Sequence, residues 1–338
     1  MLTPSFKQSL SQALERRKPL FEALRAEGTD CFRLYHGTAE GLPGLTIDRY
    51  GGLVLAQTFR EPLAPEELPV LEATLREALP QTFAFAWNHR GKKPGEPFEK
   101  WHRPAPEALE EFVCSEGGLK YLVRARHRGI DPWLFLDLRA ARRFVRADSK
   151  GLCVLNLFAY TCGVGVCAAA GGASEVWNVD FASSSLEVGT RNARLNGVPA
   201  DKFKTLNEDC LIAARQLAGL PVGGRHGQKL RYTRLEPRQF DLVFLDPPAW
   251  AKGPLASVDL VRDYPGLFKP AVLAARPGGR VIAANNVGSV GYAEWEAVLR
   301  RCAAKAGRPL RSVTRLLPDP DFPSFDGNPP LKIAVCEV

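Results

Sequence analysis

Asp246, Pro247, Pro248 and Trp250 stand together at the end of FDLVFLDPPAW, directly after an apolar run of strand character. Two consecutive prolines hold an extended, rigid backbone whose carbonyls have no helix to join. Such a loop can aim a carboxylate and backbone oxygens at an amino or imino nitrogen while the indole stacks on a base. The plainer alternative is a strand-ending turn with Trp250 in the core. Upstream, Asn156 to Gly165 (NLFAYTCGVG) is a tight turn that opens a helix, and its N–H groups and glycines let backbone approach a ligand. A G-x-G alone does not separate cofactor classes, and the third glycine of the dinucleotide fingerprint falls on Ala168. Asp180 is placed to accept from a ribose diol and Phe181 to lie against an adenine face, an arrangement that several cofactors share. Asp209 with Cys210 opens a helix, where the aspartate is either a ligand or an N-cap.

The elements that must position these residues follow from periodicity. After Gly151 the runs LCVLNLF, ASEVWNVD, KFKTLN, FDLVFLD and GGRVIAANN alternate with helical segments, and LRSVTRLL and LKIAVCEV follow. Apolar runs of this kind predict parallel strands buried on both faces, and so an α/β, doubly wound, seven-stranded sheet. In such sheets ligands bind outside the carboxyl ends of the strands. Residues 1–130 read differently, as an N-terminal α+β domain: a helix over 4–28 broken near Pro19, a small meander from Cys31 to Phe59, a helix near 66–78 and a strand near 119–125. Residues 131–338 form the second domain.

Composition narrows the classes. The 338 residues are 45% hydrophobic, enough for a large core, and no apolar run is long enough to span a bilayer or act as a leader, which predicts a cytoplasmic protein. Eight cysteines are too few for a disulfide scaffold, and the one close pair, Cys162 and Cys167, lacks zinc-site spacing; no metal is expected. The net charge of +8 is concentrated. Residues 120–150 carry nine Lys/Arg against three Asp, and residues 220–239 carry five basic residues against one acidic, so the rest of the chain is slightly negative. Clusters of this kind are an electrostatic footprint for phosphates, with Arg225, Lys229, Arg231 and Arg234 as the candidate contacts; the alternative is a solvated helix face and a basic loop.

Taken in order, RLYHGTAEGLPGLTIDRYGG, LFLDLRAAR, VLNLFAYTCGVGV and FLDPPAW resemble the bacterial 23S ribosomal RNA methyltransferases of the 5-methylcytosine and guanine-N7 types. The resemblance covers most of the chain and implies a class I, Rossmann-like methyltransferase domain that uses S-adenosyl-L-methionine. It implies Phe158, Tyr160, Thr161 and Gly163 around the methionine end, Asp180 at the ribose, and Asp209 and Cys210 near the adenine. It also implies that Arg139 reaches the cofactor; the alternative is a charge on a helix surface.

Three departures carry information. Cys162 stands where the relatives show glycine, which crowds the first turn. The chain starts at the middle domain, without the small RNA-binding module of many cytosine-type relatives, so RNA contact is expected from the meander, the linking helix and the basic loop. The third is chemical. Cytosine C5 is a weak nucleophile and needs a thiolate added at C6. Where the cytosine-type relatives carry that thiol, after the fifth strand, this chain has Asn285-Asn286. Guanine N7 has its own lone pair and needs only to be held in line. The asparagine pair, whose amides either read a base edge or cap a turn, and the stretch Asp259 to Tyr264 resemble the N7 type. The expectation is therefore RNA methylation at a guanine nitrogen. A non-catalytic RNA-binding or ribosome-assembly factor, or a methyltransferase for protein or small molecules, is the alternative.

Overall fold

The structure, a computed structural model, describes residues 4–91, 102–125, 131–223, 231–252, 257–259 and 263–338; for residues 250–252 and 257–259 it describes backbone only. The chain divides into two units, residues 1–139 with 319–327, and residues 140–318 with 328–338. The boundary thus falls at Arg139 rather than at 130, and a nine-residue segment from the far end of the chain completes the first unit.

That unit starts with α1 (Pro4–Ala26), then β1 (Cys31–His36), α2 (Gly37–Glu40), β2 (Leu45–Tyr50), β3 (Leu53–Thr58), α3 (Glu67–Ala78), β4 (Ala84–His89), β5 (His102–Pro104) and a hairpin of β6 (Phe112–Glu116) and β7 (Leu119–Val123). The first five strands make a sheet in chain order in which only β3 and β4, joined through α3, run parallel. The expected break at Pro19 does not occur: α1 runs through it. Proline removes one helical hydrogen bond. Tertiary anchoring on both sides outweighs that loss, with Leu10 and Ala13 before Pro19 and Phe21 and Leu24 after it all buried in one core. Within the same stretch the buried Arg17 is paired with Glu40.

Arg139 corrects the reading that sent it to the cofactor. It is 1% exposed, and one guanidinium nitrogen donates to Asp319 Oδ2 at 2.9 Å and Asp321 Oδ1 at 3.1 Å. The other donates to the Cys31 carbonyl and to Asp321 Oδ2, with Glu116 at 3.8 Å. A buried charge needs such partners, because desolvation costs several kcal/mol unless it is offset. Here the partners belong to the returning segment, which is why 319–327 joins the first unit. Arg142 is also buried, so part of the basic cluster at 120–150 is interior and not a docking face.

The second unit contains α4 (Arg139–Asp148, of which all but the first residue belongs here), β8 (Cys153–Leu157), α5 (Gly163–Ala170), β9 (Glu175–Asp180), α6 (Ser183–Leu195), β10 (Phe203–Asn207), α7 (Cys210–Leu217), β11 (Phe240–Leu245), the short pair β12 (Trp250–Lys252) and β13 (Ser257–Asp259), α8 (Tyr264–Ala274), β14 (Ala275–Asn285), α9 (Tyr292–Lys305), β15 (Ser312–Leu316) and β16 (Lys332–Glu337). Its seven-stranded sheet has the order β10-β9-β8-β11-β14-β16-β15, with only β16 antiparallel to its neighbours. This is the doubly wound sheet expected from the alternating runs. Strand order reverses between β8 and β11, so the crevice beyond their carboxyl ends is where a ligand fits.

Candidate active site

Register brings the predicted residues to one edge. Leu157 lies opposite both Val179 and Leu245, and Leu245 opposite Ala283. The residues that follow each strand are Phe158 after β8, Asp180 at the end of β9, Asp246 after β11 and Asn285 at the end of β14, and they therefore line one side of the sheet.

The turn after β8 is more unusual than its glycines suggest. Phe158, Tyr160 and Cys162 all take left-handed backbone, with φ of 57°, 49° and 59°, whereas Gly163 and Gly165 do not. Each such non-glycine residue costs on the order of 1 kcal/mol or more and persists only when its surroundings hold it. Tertiary contacts hold this turn. The Phe158 N–H donates to Cys210 Sγ at 3.2 Å, the Tyr160 N–H to Asp180 Oδ2 at 2.8 Å, and Asn192 Nδ2 to the Thr161 carbonyl at 3.1 Å. Gly165 has a packing role: any side chain there would collide with the buried Asn178, which accepts from Asn156 at 2.9 Å and donates to the Lys204 carbonyl.

Cys162 does not crowd the turn into the crevice. Its side chain is fully buried and faces Gly189 of α6, where a methyl group would overlap the sulfur. The small residue in the neighbouring helix leaves the space that the extra atoms fill. Burial also pushes the Cys162 thiol well above its ordinary value.

Asp180 is buried, with Oδ1 accepting from the Ala182 N–H at 2.9 Å and Oδ2 from Tyr160. Burial pushes its pKa up, against the backbone N–H groups of Ala182, Tyr160 and Phe181. A carboxylate has about four acceptor positions, so room for a hydroxyl donor remains. Phe181, next to it, is 68% exposed, unusual for an aromatic ring, and offers a bare face. Asp209 caps α7 through bonds to the Leu211 and Ile212 N–H groups at 2.9 and 3.0 Å, so the N-cap reading is realised. Cys210 is buried, its thiol donating to the Val179 carbonyl.

Asp246 is half-buried, Pro247 is buried, and the electrostatic reach of Asp246 extends to Tyr264, whose hydroxyl donates to the Ala284 carbonyl at 2.9 Å. The start of α8 is thereby tied to the end of β14. The asparagine pair divides. Asn285 is wholly buried, and its Oδ1 accepts from the Val287 N–H at 2.9 Å while its Nδ2 has no hydrogen-bond partner among the described residues. Asn286 is exposed. Asn285 therefore shapes the loop, and only Asn286 presents an amide at the surface.

Sequence reading missed Asn178, Gly189, Asn192 and Lys332. Lys332 lies opposite Asn285 and is 2% exposed; its Nζ donates to the carbonyls of Val287 at 2.8 Å and Pro330 at 2.7 Å. Burial, with a smaller push from Arg315, lowers its pKa to about 8. The signal was present, a lone lysine in the apolar run LKIAVCEV. Of the basic candidates, Arg231 and Arg234 are exposed on a segment pinned by Thr233 N–H to Glu208 Oε2 at 2.7 Å and Leu235 N–H to Gln216 Oε1. Arg225 and Lys229 lie outside the described residues, as does the Trp250 side chain.

Known proteins resemble this chain over most of its length. The family model for S-adenosylmethionine-dependent methyltransferase matches residues 32–336. A ribosomal RNA large subunit methyltransferase of Deinococcus radiodurans is 30% identical over 92% of this chain and 73% of its own length. Ribosomal RNA large subunit methyltransferase I of Aeromonas salmonicida is 28% identical over 94% and 76%. The K/L enzyme of Allochromatium vinosum is 32% identical over 80% of this chain, but only 35% of that much longer protein is matched. Among solved structures, SMU.776 complexed with SAH has a TM-score of 0.81 at 22% identity, covering all of this chain and 82% of that one. The SAM-dependent methyltransferase from Agrobacterium tumefaciens scores 0.60 at 18% identity over 87% of both chains. No helix among the described residues is long and apolar enough to cross a membrane. With a sheet of this strand order, the candidate residues gathered at its carboxyl edge and a family match over nearly the whole length, the chain belongs to the S-adenosylmethionine-dependent methyltransferases.

Proposed function

We propose that the chain methylates a guanine nitrogen, N7, in 23S ribosomal RNA without a covalent cysteine intermediate. The observation that carries this reading is where the thiols lie. Seven of the eight cysteines are buried, and the eighth, Cys153, is half-buried at the start of β8, the opposite end of the strand from the turn. Cys210 is committed to Phe158 and Val179, Cys302 is on α9 and Cys336 in β16. Burial raises the thiols of Cys162, Cys210, Cys302 and Cys336 above their ordinary values. A thiolate that attacks C6 of cytosine must be ionised and within reach.

Guanine N7 carries a lone pair and no proton, so the chain needs no base; it has to bind, orient and exclude water. The 158–163 turn fits the methionine end of S-adenosylmethionine, Asp180 the ribose hydroxyls, and Phe181 with the Asp209–Cys210 start of α7 the adenine. When bound, that cofactor supplies an electrophilic methyl group. Asp246, Pro247 and Pro248 form the acceptor loop, with Trp250 assigned the stacking role and Asn286 the reading of a base edge, and Asn285 sets the loop's path. Arg231 and Arg234, with Arg225 and Lys229, supply charge for the RNA backbone. The relatives named for large subunit ribosomal RNA support this substrate class.

Incubation with methyl-labelled cofactor and 23S ribosomal RNA, followed by nucleoside mass spectrometry, tests the reading. It expects 7-methylguanosine, lost by at least about 100-fold in Asp246→Ala with cofactor affinity retained. A 5-methylcytidine product, or transfer abolished by a single cysteine substitution that leaves folding intact, overturns it.

A further inference from the structure

The first unit contains a cavity of about 350 Å³ bordered by Arg25, Asp30, Phe32, Arg49, Gln81 and Val113. Its volume is at the lower end for a small-ligand site. Neither arginine has a carboxylate within ion-pairing distance among the described residues. Arg25, at the end of α1, is exposed and near the Phe32 ring, 5.8 Å from its centroid. Arg49, opposite Phe32 across the β1–β2 ladder, is oriented by donating to the Gly51 carbonyl at 2.9 Å and to Gln81 Oε1 at 2.5 Å.

Burial and the charge of Arg25 depress the Arg49 guanidinium, with Asp30 acting in the opposite sense. Two like charges therefore border one hollow and repel each other, and the one acid, Asp30, already accepts from the Ser115 N–H at 2.7 Å. An anion between the guanidinia removes that repulsion and gains charge-assisted hydrogen bonds. Val113, 46% exposed, provides an apolar wall beside it. A charged group joined to a flat apolar ring matches both features.

We propose that this cavity holds one nucleotide of the RNA substrate, its phosphodiester between Arg25 and Arg49 and its base against Val113. The inference rests on the RNA reading above and assigns to the first unit a contact outside the basic segment at 220–239. The test uses the whole chain with 23S ribosomal RNA: filter binding over a salt series, calorimetry with S-adenosylhomocysteine, and methyl transfer. Arg25→Glu, an exposed position without an ion pair among the described residues, is expected to weaken RNA binding about tenfold or more. It is also expected to reduce the slope of log affinity against log salt by about one, with cofactor affinity and melting temperature unchanged. Arg49→Gln is expected to act in the same direction, and Arg25→Lys to retain most of the affinity. Unchanged RNA affinity and slope in Arg25→Glu, while the wild-type chain methylates the RNA, overturn the cavity proposal alone. A wild-type chain that binds cofactor but neither binds nor methylates the RNA overturns the reading beneath it.

Discussion

The sulfur of Cys162 occupies space left by the absent side chain of Gly189. Position 162 has left-handed backbone, φ 59°, a conformation glycine adopts at lower cost than cysteine. The pair therefore behaves as one packing unit across the α5–α6 contact. Gly189→Ala is expected to cost about 1–3 kcal/mol by overpacking and to weaken S-adenosylhomocysteine binding by displacing the turn. Adding Cys162→Gly is expected to restore both, a coupling measurable by a double-mutant cycle of melting and calorimetry. Additive effects would separate the two sites.

Asp180 connects β9 to the strained turn through Tyr160. Asp180→Ala leaves the Tyr160 and Ala182 N–H groups without acceptors. The expected outcome is a roughly 10- to 100-fold loss of cofactor affinity, on the scale of charged hydrogen bonds. Calorimetry with S-adenosylhomocysteine checks it.

Lys332 pins the loop that follows β14. Lys332→Met keeps the length of the stem and removes both carbonyl contacts. The expectation is a fall in kcat of about 10- to 100-fold, the scale on which small displacements act, with cofactor affinity unchanged. Equal losses in both would mean a general collapse of the sheet edge.

Asp321→Ala leaves Arg139 buried and undercompensated. A loss of about 3–5 kcal/mol in unfolding free energy is expected, with the folded fraction binding cofactor normally. Weakened cofactor binding at unchanged stability would return Arg139 to the ligand role.

His36 carries an acid-side dependence. Burial, then the charge of Arg33, lowers its pKa to about 4 from 6.5, with Glu40 acting in the opposite sense, and Arg33 Nη1 lies 3.0 Å from its Nδ1. Between these two values the unfolded chain binds the extra proton. Stability from this group is therefore complete above about pH 6.5 and is lost as pH falls through about 4, by up to on the order of 3 kcal/mol. Denaturation across that range should flatten in His36→Gln.

Much of the second unit was legible in the sequence, because buried parallel strands are continuous apolar runs and each is followed by residues the core does not require. The double proline, Asp180 with Phe181, and the asparagine pair stood out on that basis. What stayed hidden depends on distant partners. Nothing around Cys162 announces a glycine one helix away. Arg139 looked like a surface or ligand charge because its carboxylates lie 180 and 182 residues downstream. The continuity of α1 through Pro19 was hidden for the same reason, since local preference argues for a break and the core overrules it. Left-handed Phe158 and Tyr160 contradict residue preference and are held only by tertiary hydrogen bonds.

The return of residues 319–327 to the first unit sets an order on biosynthesis. A nascent chain emerging from the ribosome exposes β1 to β7 and Arg139 early, yet two of the acids that pair with Arg139, Asp319 and Asp321, arrive 180 and 182 residues later. The same stretch of translation delivers β16, the antiparallel strand between β14 and β15. Both units thus close nearly together, and a chain cut short before residue 319 lacks the closure of each, a ready substrate for quality-control proteases rather than a half-working enzyme.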